Sequence, residues 1–272
     1  MATLRDRLAT ARLPRLEARM LWQHVLQVPR AWLIAHDTDE IPDAVQQRYQ
    51  ELENRRLLGE PMAYILGRRE FMGHMFEVDP AVLIPRPETE LLVERALAVL
   101  EGKPAPRVLD LGTGSGAIAI SIALARPDAT VVATDLSADA LAVARDNARR
   151  LGAAVEFLRG SWYDALTGSK PAPFGLIVSN PPYIHAGDAH LSQGDLCFEP
   201  ASALTDGADG LRDLERIVLG AAPWLTPQGV LLVEHGWDQA AEVRRFLERT
   251  GYAGIASHRD LAGIERVTGG NV

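Results

Sequence analysis

The tetrapeptide Asn180-Pro181-Pro182-Tyr183 gathers hydrogen-bond acceptors in a stiff frame. Two consecutive prolines fix φ and remove two N–H donors, which leaves outward carbonyls. Asn180 adds a side-chain carbonyl. A rigid set of acceptors is suited to gripping an NH2 group, and Tyr183 can lay its ring against a planar amide or base. An amide nitrogen is a poor nucleophile because its lone pair is delocalised into the carbonyl. If Asn180 and the Pro181 carbonyl accept hydrogen bonds from its two N–H groups, the nitrogen is held in line for attack. Its pyramidal form is favoured, and the positive charge that develops on it is stabilised. No strong general base is then needed before the transfer. Taken alone, the tetrapeptide reads equally well as a proline-stiffened turn with an Asn cap and a core aromatic, so its surroundings decide.

The second chemical signal is Asp110-Leu111-Gly112-Thr113-Gly114-Ser115-Gly116-Ala117. Glycines there let the backbone take positive φ and let a ligand approach closely. Asp135 follows Gly116 by nineteen residues at the end of an apolar run, where a carboxylate can accept from both ribose hydroxyls of a nucleoside. Turn and acid together predict a nucleoside cofactor. Gly112, Gly114 and Ala117 also satisfy the dinucleotide fingerprint. The same cluster looks like the S-adenosylmethionine loop of class I methyltransferases, and the turn by itself does not separate the two readings.

These residues need a frame. From residue 105 onward the pattern alternates. Strands are predicted at 107–111, 130–134, 155–158, 174–178 and 230–234, with two closing strands at 253–257 and 265–268. Helices are predicted at 117–125, 137–151, 211–224 and 239–250, the second capped by Ser137. Buried apolar runs separated by helices imply a parallel α/β sheet covered on both faces. Ligands in such a sheet sit at the carboxyl ends of the strands, near the topological switch point. The glycine turn and Asn180–Tyr183 both follow strands directly, so the two should lie side by side. The first 60 residues read instead as a small helical bundle. Leu4, Leu8, Leu13, Leu16, Met20 and Leu21 recur at helical spacing, Pro14 is a first-turn residue, and Gly59 is a C-cap. A hairpin is predicted at 70–78, followed by a helix starting near Thr89. The boundaries read from the sequence are 1–78 for the helical part with its hairpin and 79–272 for the α/β part.

Composition narrows the function. The chain has 272 residues, 47% hydrophobic and 24% charged, and a formal net charge of −8. That balance excludes disorder. No apolar run reaches the ~20 residues of a membrane span, and charges in the first seven residues interrupt any secretory signal. Residues 1–80 carry 11 basic against 12 acidic side chains, so neither part has the basic excess of a nucleic-acid binder. One cysteine, Cys197, forbids an intrachain disulfide and argues for a reducing cytoplasm.

At this point the chain resembles the protein-(glutamine-N5) methyltransferases that modify peptide chain release factors, nearly end to end. The resemblance is carried by Gly59-Glu60-Pro61 with Tyr64-Ile65 and Gly67, then Glu70-Phe71 with Gly73. It continues through Pro85-Arg86-Pro87-Glu88-Thr89-Glu90, Asp110 to Gly116, Asp135, Ser161-Trp162 and Asn180 to Tyr183. Phe198-Glu199-Pro200 with Ala203-Leu204 and Asp209-Gly210, and Asp260-Leu261 with Gly263 and Glu265-Arg266, complete it. Phe198 departs from the tyrosine expected there. The resemblance implies a class I S-adenosylmethionine-dependent methyltransferase fold, Rossmann-like, with a seven-stranded, mostly parallel sheet. It implies that Gly112, Thr113, Gly114, Ser115 and Gly116 hold the methionine end of the donor, Asp135 the ribose, and Trp162 the adenine, with Asn180 also counted among the cofactor-binding residues. It implies that Asn180, Pro181, Pro182 and Tyr183 hold the glutamine of a release factor's Gly-Gly-Gln loop. The helical domain would help dock that factor, and transfer would be an in-line displacement from a sulfonium donor. A cytoplasmic monomer, with no metal, no membrane contact and no direct DNA binding, is expected.

Other features carry less. Glu199 reads as a substrate contact or as the partner of an arginine, with Arg86 the candidate. His185 and His190 with Asp188 and Asp195 come nearest to metal spacing. Cys197 reads as a small buried apolar side chain. Arg5, Arg12, Arg15 and Arg19 read as a solvated helix face or as a contact to the release factor or ribosomal RNA. Two rival functions stand beside the main one: an adenine-N6 methyltransferase of nucleic acid, which poses a similar exocyclic-amine problem, and a dinucleotide oxidoreductase.

Overall fold

The computed structural model describes residues 3–168 and 171–272. The chain divides into two compact units, Met1–Gly67 and Arg68–Val272, so the hairpin goes with the second unit.

The first unit is helical: α1 (Leu4–Ala9), α2 (Arg15–Leu26), α3 (Arg30–Ala35), α4 (Asp43–Leu57) and α5 (Met62–Leu66). Pro14 stands at the N-cap of α2, one place earlier than a first-turn residue. Gly59 has φ +96 just past the end of α4, the left-handed backbone that halts a helix there. Leu4, Leu21 and Trp22 are fully buried, and Trp22 stacks on Tyr49 at 4.2 Å. Glu53 is buried as well. The Arg12 backbone N–H and Nε (3.0 and 2.9 Å) and the Tyr49 hydroxyl (3.1 Å) donate to its carboxylate.

The second unit opens with the hairpin β1 (Arg68–Phe71) and β2 (His74–Glu77). Met72 and Gly73 both have positive φ, the conformation of a two-residue turn that follows strand twist. Its inward rings, Phe71 and Phe76, meet edge to face at 6.1 Å. The α/β part then runs α6 (Glu90–Leu100), β3 (Arg107–Leu111), α7 (Ala117–Ala125), β4 (Thr130–Asp135), α8 (Ala138–Leu151), β5 (Val155–Arg159) and β6 (Phe174–Ser179). It ends with α9 (Ala201–Leu204), α10 (Arg212–Ala221), β7 (Leu225–Glu234), α11 (Ala240–Arg249), β8 (Ala253–Arg259) and β9 (Glu265–Asn271). The seven-stranded sheet has the order β5-β4-β3-β6-β7-β9-β8. Strands β3 to β7 pair in parallel, and β9 is antiparallel to both β7 and β8.

Alternation along the strands feeds two cores. Val108, Val131, Leu176 and Val178 join α6, α7 and the hairpin phenylalanines on one face. Leu109, Leu111, Val132 and Ile177 join α10 and α11 on the other. Helix α10 buries Leu214, Ile217, Val218 and Ala221, one stripe at helical spacing. Helix α7 is apolar almost all round and is buried accordingly.

The topology reverses between β3 and β6: the chain runs outward through β4 and β5, then returns to β6 on the other side of β3. The register pairs Leu111 with Ser179, the last residue of each strand. The Ser179 hydroxyl donates to the Leu111 carbonyl at 2.7 Å. The glycine turn and Asn180 therefore start from adjacent points on one sheet edge, as their positions after strands require.

Candidate active site

The glycine turn is tied down before it meets any ligand. Gly112 and Thr113 backbone N–H groups both donate to the Thr134 carbonyl at 2.9 Å, and Gly116 donates to Thr113 at 2.9 Å. Gly112, Gly114 and Gly116 have φ of +74, +55 and +84. A Cβ on Gly112 would sit 3.1 Å from the Trp162 ring, and one on Gly116 would sit 2.6 Å from Ile120. A Cβ on Gly114 would meet nothing within 4 Å, so this glycine presents bare backbone to open space. Asn147, the polar break in the buried stripe of α8, clamps the turn from behind. Its amide donates to the Ser115 carbonyl (3.0 Å) and the Glu77 carbonyl (2.9 Å) while accepting from the Glu77 N–H (2.7 Å).

Asp135 ends β4 beside this turn. One oxygen accepts from the Gly114 N–H and the other from the Ser137 N–H, each at 2.9 Å. A carboxylate has about four acceptor positions, so the backbone donors leave room for a ligand hydroxyl. Burial raises the Asp135 carboxyl pKa, and these N–H donors pull it back down. Asp110 lies deeper. The Thr113 hydroxyl donates to one of its oxygens at 2.7 Å, and among the described residues the other has no partner. Complete burial pushes its pKa up to about 7.

A cavity of about 750 Å3 opens over this edge. That is room for a drug-sized ligand and more. Gly112, Thr113, Gly114, Ser115, Asp135 and Trp162 line it on the glycine-turn side, and Asn180 and Pro182 line it opposite. Gly116, Pro181 and Tyr183 are not on its wall. Gly116 instead caps α7, and Pro181 is buried. Trp162 takes a positive φ of 48°, and its side chain favours the charged form of Asp213, another wall residue. The bare glycine backbone, the free lone pairs of Asp135 and the flat indole fit a nucleoside bearing an amino-acid tail.

The Asn180 amide donates to the Thr89 hydroxyl at 3.1 Å, and among the described residues its Oδ1 has no partner. The Tyr183 hydroxyl donates to the buried Glu234 at 3.2 Å, and burial beside that carboxylate raises the tyrosine pKa. The sequence marks Thr89 only as a helix start within the 85–90 segment and Glu234 only as a strand end, and gives neither a role in the site. The available signal is a carboxylate ending an apolar strand, the pattern of Asp135 at β4 repeated at β7.

Arg86 on the wall pairs with Glu199, whose other oxygen accepts from the Ile84 N–H at 3.0 Å. Glu199 is thus the partner of Arg86. Cys197 is exposed rather than buried, because it sits in a short turn at Gly194–Phe198 that packs no side chain inward. Its neighbour Phe198 is 36% exposed. His190 contacts Asp188 at 2.7 Å, and no group of three metal-ligating side chains occurs among the described residues. In the helical unit Arg12 turns to Glu53, while Arg5, Arg15 and Arg19 line a groove with Arg30. No helix among the described residues is long and apolar enough to cross a membrane.

Comparison with known proteins fits this geometry. Residues 1–67 match the PrmC N-terminal domain, and residues 87–207 match the methyltransferase small domain. The release factor glutamine methyltransferase of Bordetella pertussis is 60% identical over 270 residues, 99% of each chain. That of Neisseria gonorrhoeae is 53% identical over 266 residues, 98% of this chain and 96% of its own. Among solved structures, a 16S rRNA methyltransferase of T. thermophilus in complex with AdoMet and guanosine is similar in fold. Its TM-score is 0.56 at 23% identity, covering 75% of this chain and 49% of that one. The dinucleotide and adenine-N6 alternatives find no counterpart in the names of the two relatives. Fold and cofactor are those of the class I S-adenosylmethionine-dependent methyltransferases. On sequence identity across its whole length, the chain belongs to the release factor glutamine methyltransferase family.

Proposed function

We propose that this protein methylates the side-chain amide nitrogen of the glutamine in a release factor's Gly-Gly-Gln loop. The observation that carries the reading is the Asn180 amide. Its NH2 is committed to Thr89, so its carbonyl remains as an acceptor on the wall of a cavity shared with the glycine turn. An acceptor there suits a substrate that brings N–H groups.

When bound, S-adenosylmethionine supplies an electrophilic methyl group on a sulfonium centre. Gly112 to Ser115 would hold its methionine end, with Gly116 shaping the turn from behind, Asp135 would hold its ribose hydroxyls, and Trp162 would hold its adenine. Asn180 Oδ1 and the Pro181 carbonyl accept hydrogen bonds from the two amide N–H groups of the glutamine, and Pro182 and Tyr183 stiffen the turn that carries them. The grip orients the nitrogen and favours the form whose lone pair is free. Positive charge developing on nitrogen meets oxygen dipoles already in place, so little reorganisation is needed. Among the described residues no side chain is placed to take the amide proton beforehand, so the nitrogen, made acidic by methylation, would give that proton to solvent water. The helical unit helps dock the factor. The protein acts as a cytoplasmic monomer without direct DNA binding, in keeping with its net charge of −8.

Incubation of the protein with S-adenosylmethionine and a Gly-Gly-Gln release factor, followed by mass spectrometry, tests this. A gain of one methyl on the glutamine is expected. Label appearing in DNA and none in the release factor would sink the reading.

A further inference from the structure

Three segments far apart in sequence converge behind Asn180. Thr89 begins the approach to α6, Asn180 follows β6, and Glu234 ends β7. Thr89 and Glu234 are 4% and 1% exposed, so what they exchange is not shared with bulk solvent. The Thr89 hydroxyl accepts from Asn180 Nδ2 at 3.1 Å. Glu234 Oε1 accepts from the Tyr183 hydroxyl at 3.2 Å, and among the described residues Oε2 makes no full hydrogen bond. The Thr89 hydroxyl, which has accepted from Asn180, also favours the charged form of this carboxylate, whose buried Oε2 is the acceptor left open for its proton.

A hydroxyl has one proton. If that proton is directed at Glu234, Thr89 shows Asn180 only a lone pair. Asn180 must then present its NH2 to Thr89 and its carbonyl elsewhere, since the direction of a side-chain amide follows from its partners. We propose that Glu234 is a positioning residue that acts through the Thr89 hydroxyl to fix which end of the Asn180 amide faces the cavity. This rests on the proposed function, in which that end must be an acceptor.

The chain has a polarity. An ionised Glu234 can only accept, so it draws the protons of the Thr89 and Tyr183 hydroxyls toward itself and never returns one to Asn180. A neutral acid, or a glutamine, can donate to Thr89 instead. Thr89 can then donate to Asn180 Oδ1, and the Asn180 NH2 swings toward the substrate's own N–H groups. Donor meets donor and the grip fails. The groups that face Glu234 are Tyr183, Thr89, Arg266 and Glu88. Arg266 favours the ionised form, and Glu88 opposes it. Burial dominates, so Glu234 takes up a proton near neutrality, and turnover should fall on the acid side of that range.

The test measures kcat, KM for release factor and S-adenosylmethionine affinity in Glu234→Gln, Thr89→Val, Thr89→Ser and the Gln–Val double variant. Glu234→Gln and Thr89→Val are expected to lower kcat by roughly 10–100-fold, as misaimed reacting groups do. Cofactor affinity should stay within about twofold, because neither side chain is assigned to the cofactor. Thr89→Ser keeps the hydroxyl and should restore near-normal kcat. The double variant should be no slower than the slower single, since both cut one chain. The acid limb of the wild-type kcat profile should be absent in Glu234→Gln. Wild-type kcat in Glu234→Gln, equal losses in Thr89→Ser and Thr89→Val, or multiplying losses would overturn the proposal. If Glu234→Gln does not fold, the Thr89 pair decides. If unaltered protein methylates no glutamine substrate, the functional reading fails by itself. The positioning is then read from the Asn180 side-chain nitrogen resonance. A pH-dependent shift that vanishes in Glu234→Gln upholds it, and identical behaviour in both proteins refutes it.

Discussion

Replacing Glu234 by glutamine should make the protein more stable while making it slower. Burial raises the Glu234 carboxyl from its ordinary 4.5 to about 7, with Thr89, Tyr183 and Arg266 already counted on the lowering side. A rise of that size corresponds to about 3 kcal/mol of preference for the neutral form in the folded protein. The sign follows from proton counts. Between pH 4.5 and 7 the folded state holds a proton that the unfolded state has released, so stability falls as pH rises through this window. At pH 8 the carboxylate is charged in both states, and the folded state carries the whole penalty. Glutamine keeps the shape without the charge. Its advantage should be about 3 kcal/mol at pH 8 and under about 1 kcal/mol at pH 5. For a unit of this size that corresponds to roughly 6–12 °C in Tm at pH 8. Paired urea and calorimetric unfolding of the two proteins at pH 5 and pH 8 measures the difference, and other titrating groups cancel in it. A loss of stability at pH 8, or a gain as large at pH 5 as at pH 8, would refute the reasoning.

The remaining expectations concern the wall of the cavity. Asn180→Ala should lower turnover by at least about 100-fold with little change in cofactor affinity, because its acceptor is aimed at the substrate. Kinetics beside calorimetric titration checks it, and near-normal turnover would remove the amide grip. Asp135→Ala should raise the S-adenosylmethionine Kd by roughly one to two orders of magnitude, as loss of charge-assisted hydrogen bonds does; an unchanged Kd would place the ribose elsewhere. Gly210→Ala should cost about 3 kcal/mol. Gly210 has φ +78, and a Cβ there would lie 2.2 Å from the Tyr183 carbonyl oxygen. Because the clash pushes on the Asn180–Tyr183 turn, kcat should fall along with Tm. A stable, fully active variant would show that the turn yields freely.

What could be read from the sequence was what is local in it. The glycine turn, Asp135 and the Asn-Pro-Pro-Tyr turn each combine a strand end with residues whose backbone or acceptors are distinctive. The helices at α8, α10 and α11 showed their buried stripes in spacing alone. The Asn180–Thr89–Glu234 chain was not legible, because its members are 91 and 54 residues apart and meet only once β6 and β7 pair. Residues 189–198 fold into short 3-10 turns that carry no apolar period, which is why Cys197 was placed inside when it is exposed. The turn at Met72–Gly73 was anticipated from a glycine between apolar runs, and its register followed from two residues of left-handed backbone.

The Ser179–Leu111 hydrogen bond has a wider consequence. It welds the roots of the two binding turns to a single rung of the sheet, so the gap between methyl donor and acceptor is inherited from strand spacing. Surface segments around the opening can then drift over evolutionary time, and what is admitted can change with them, while the span across which the carbon must travel stays the same.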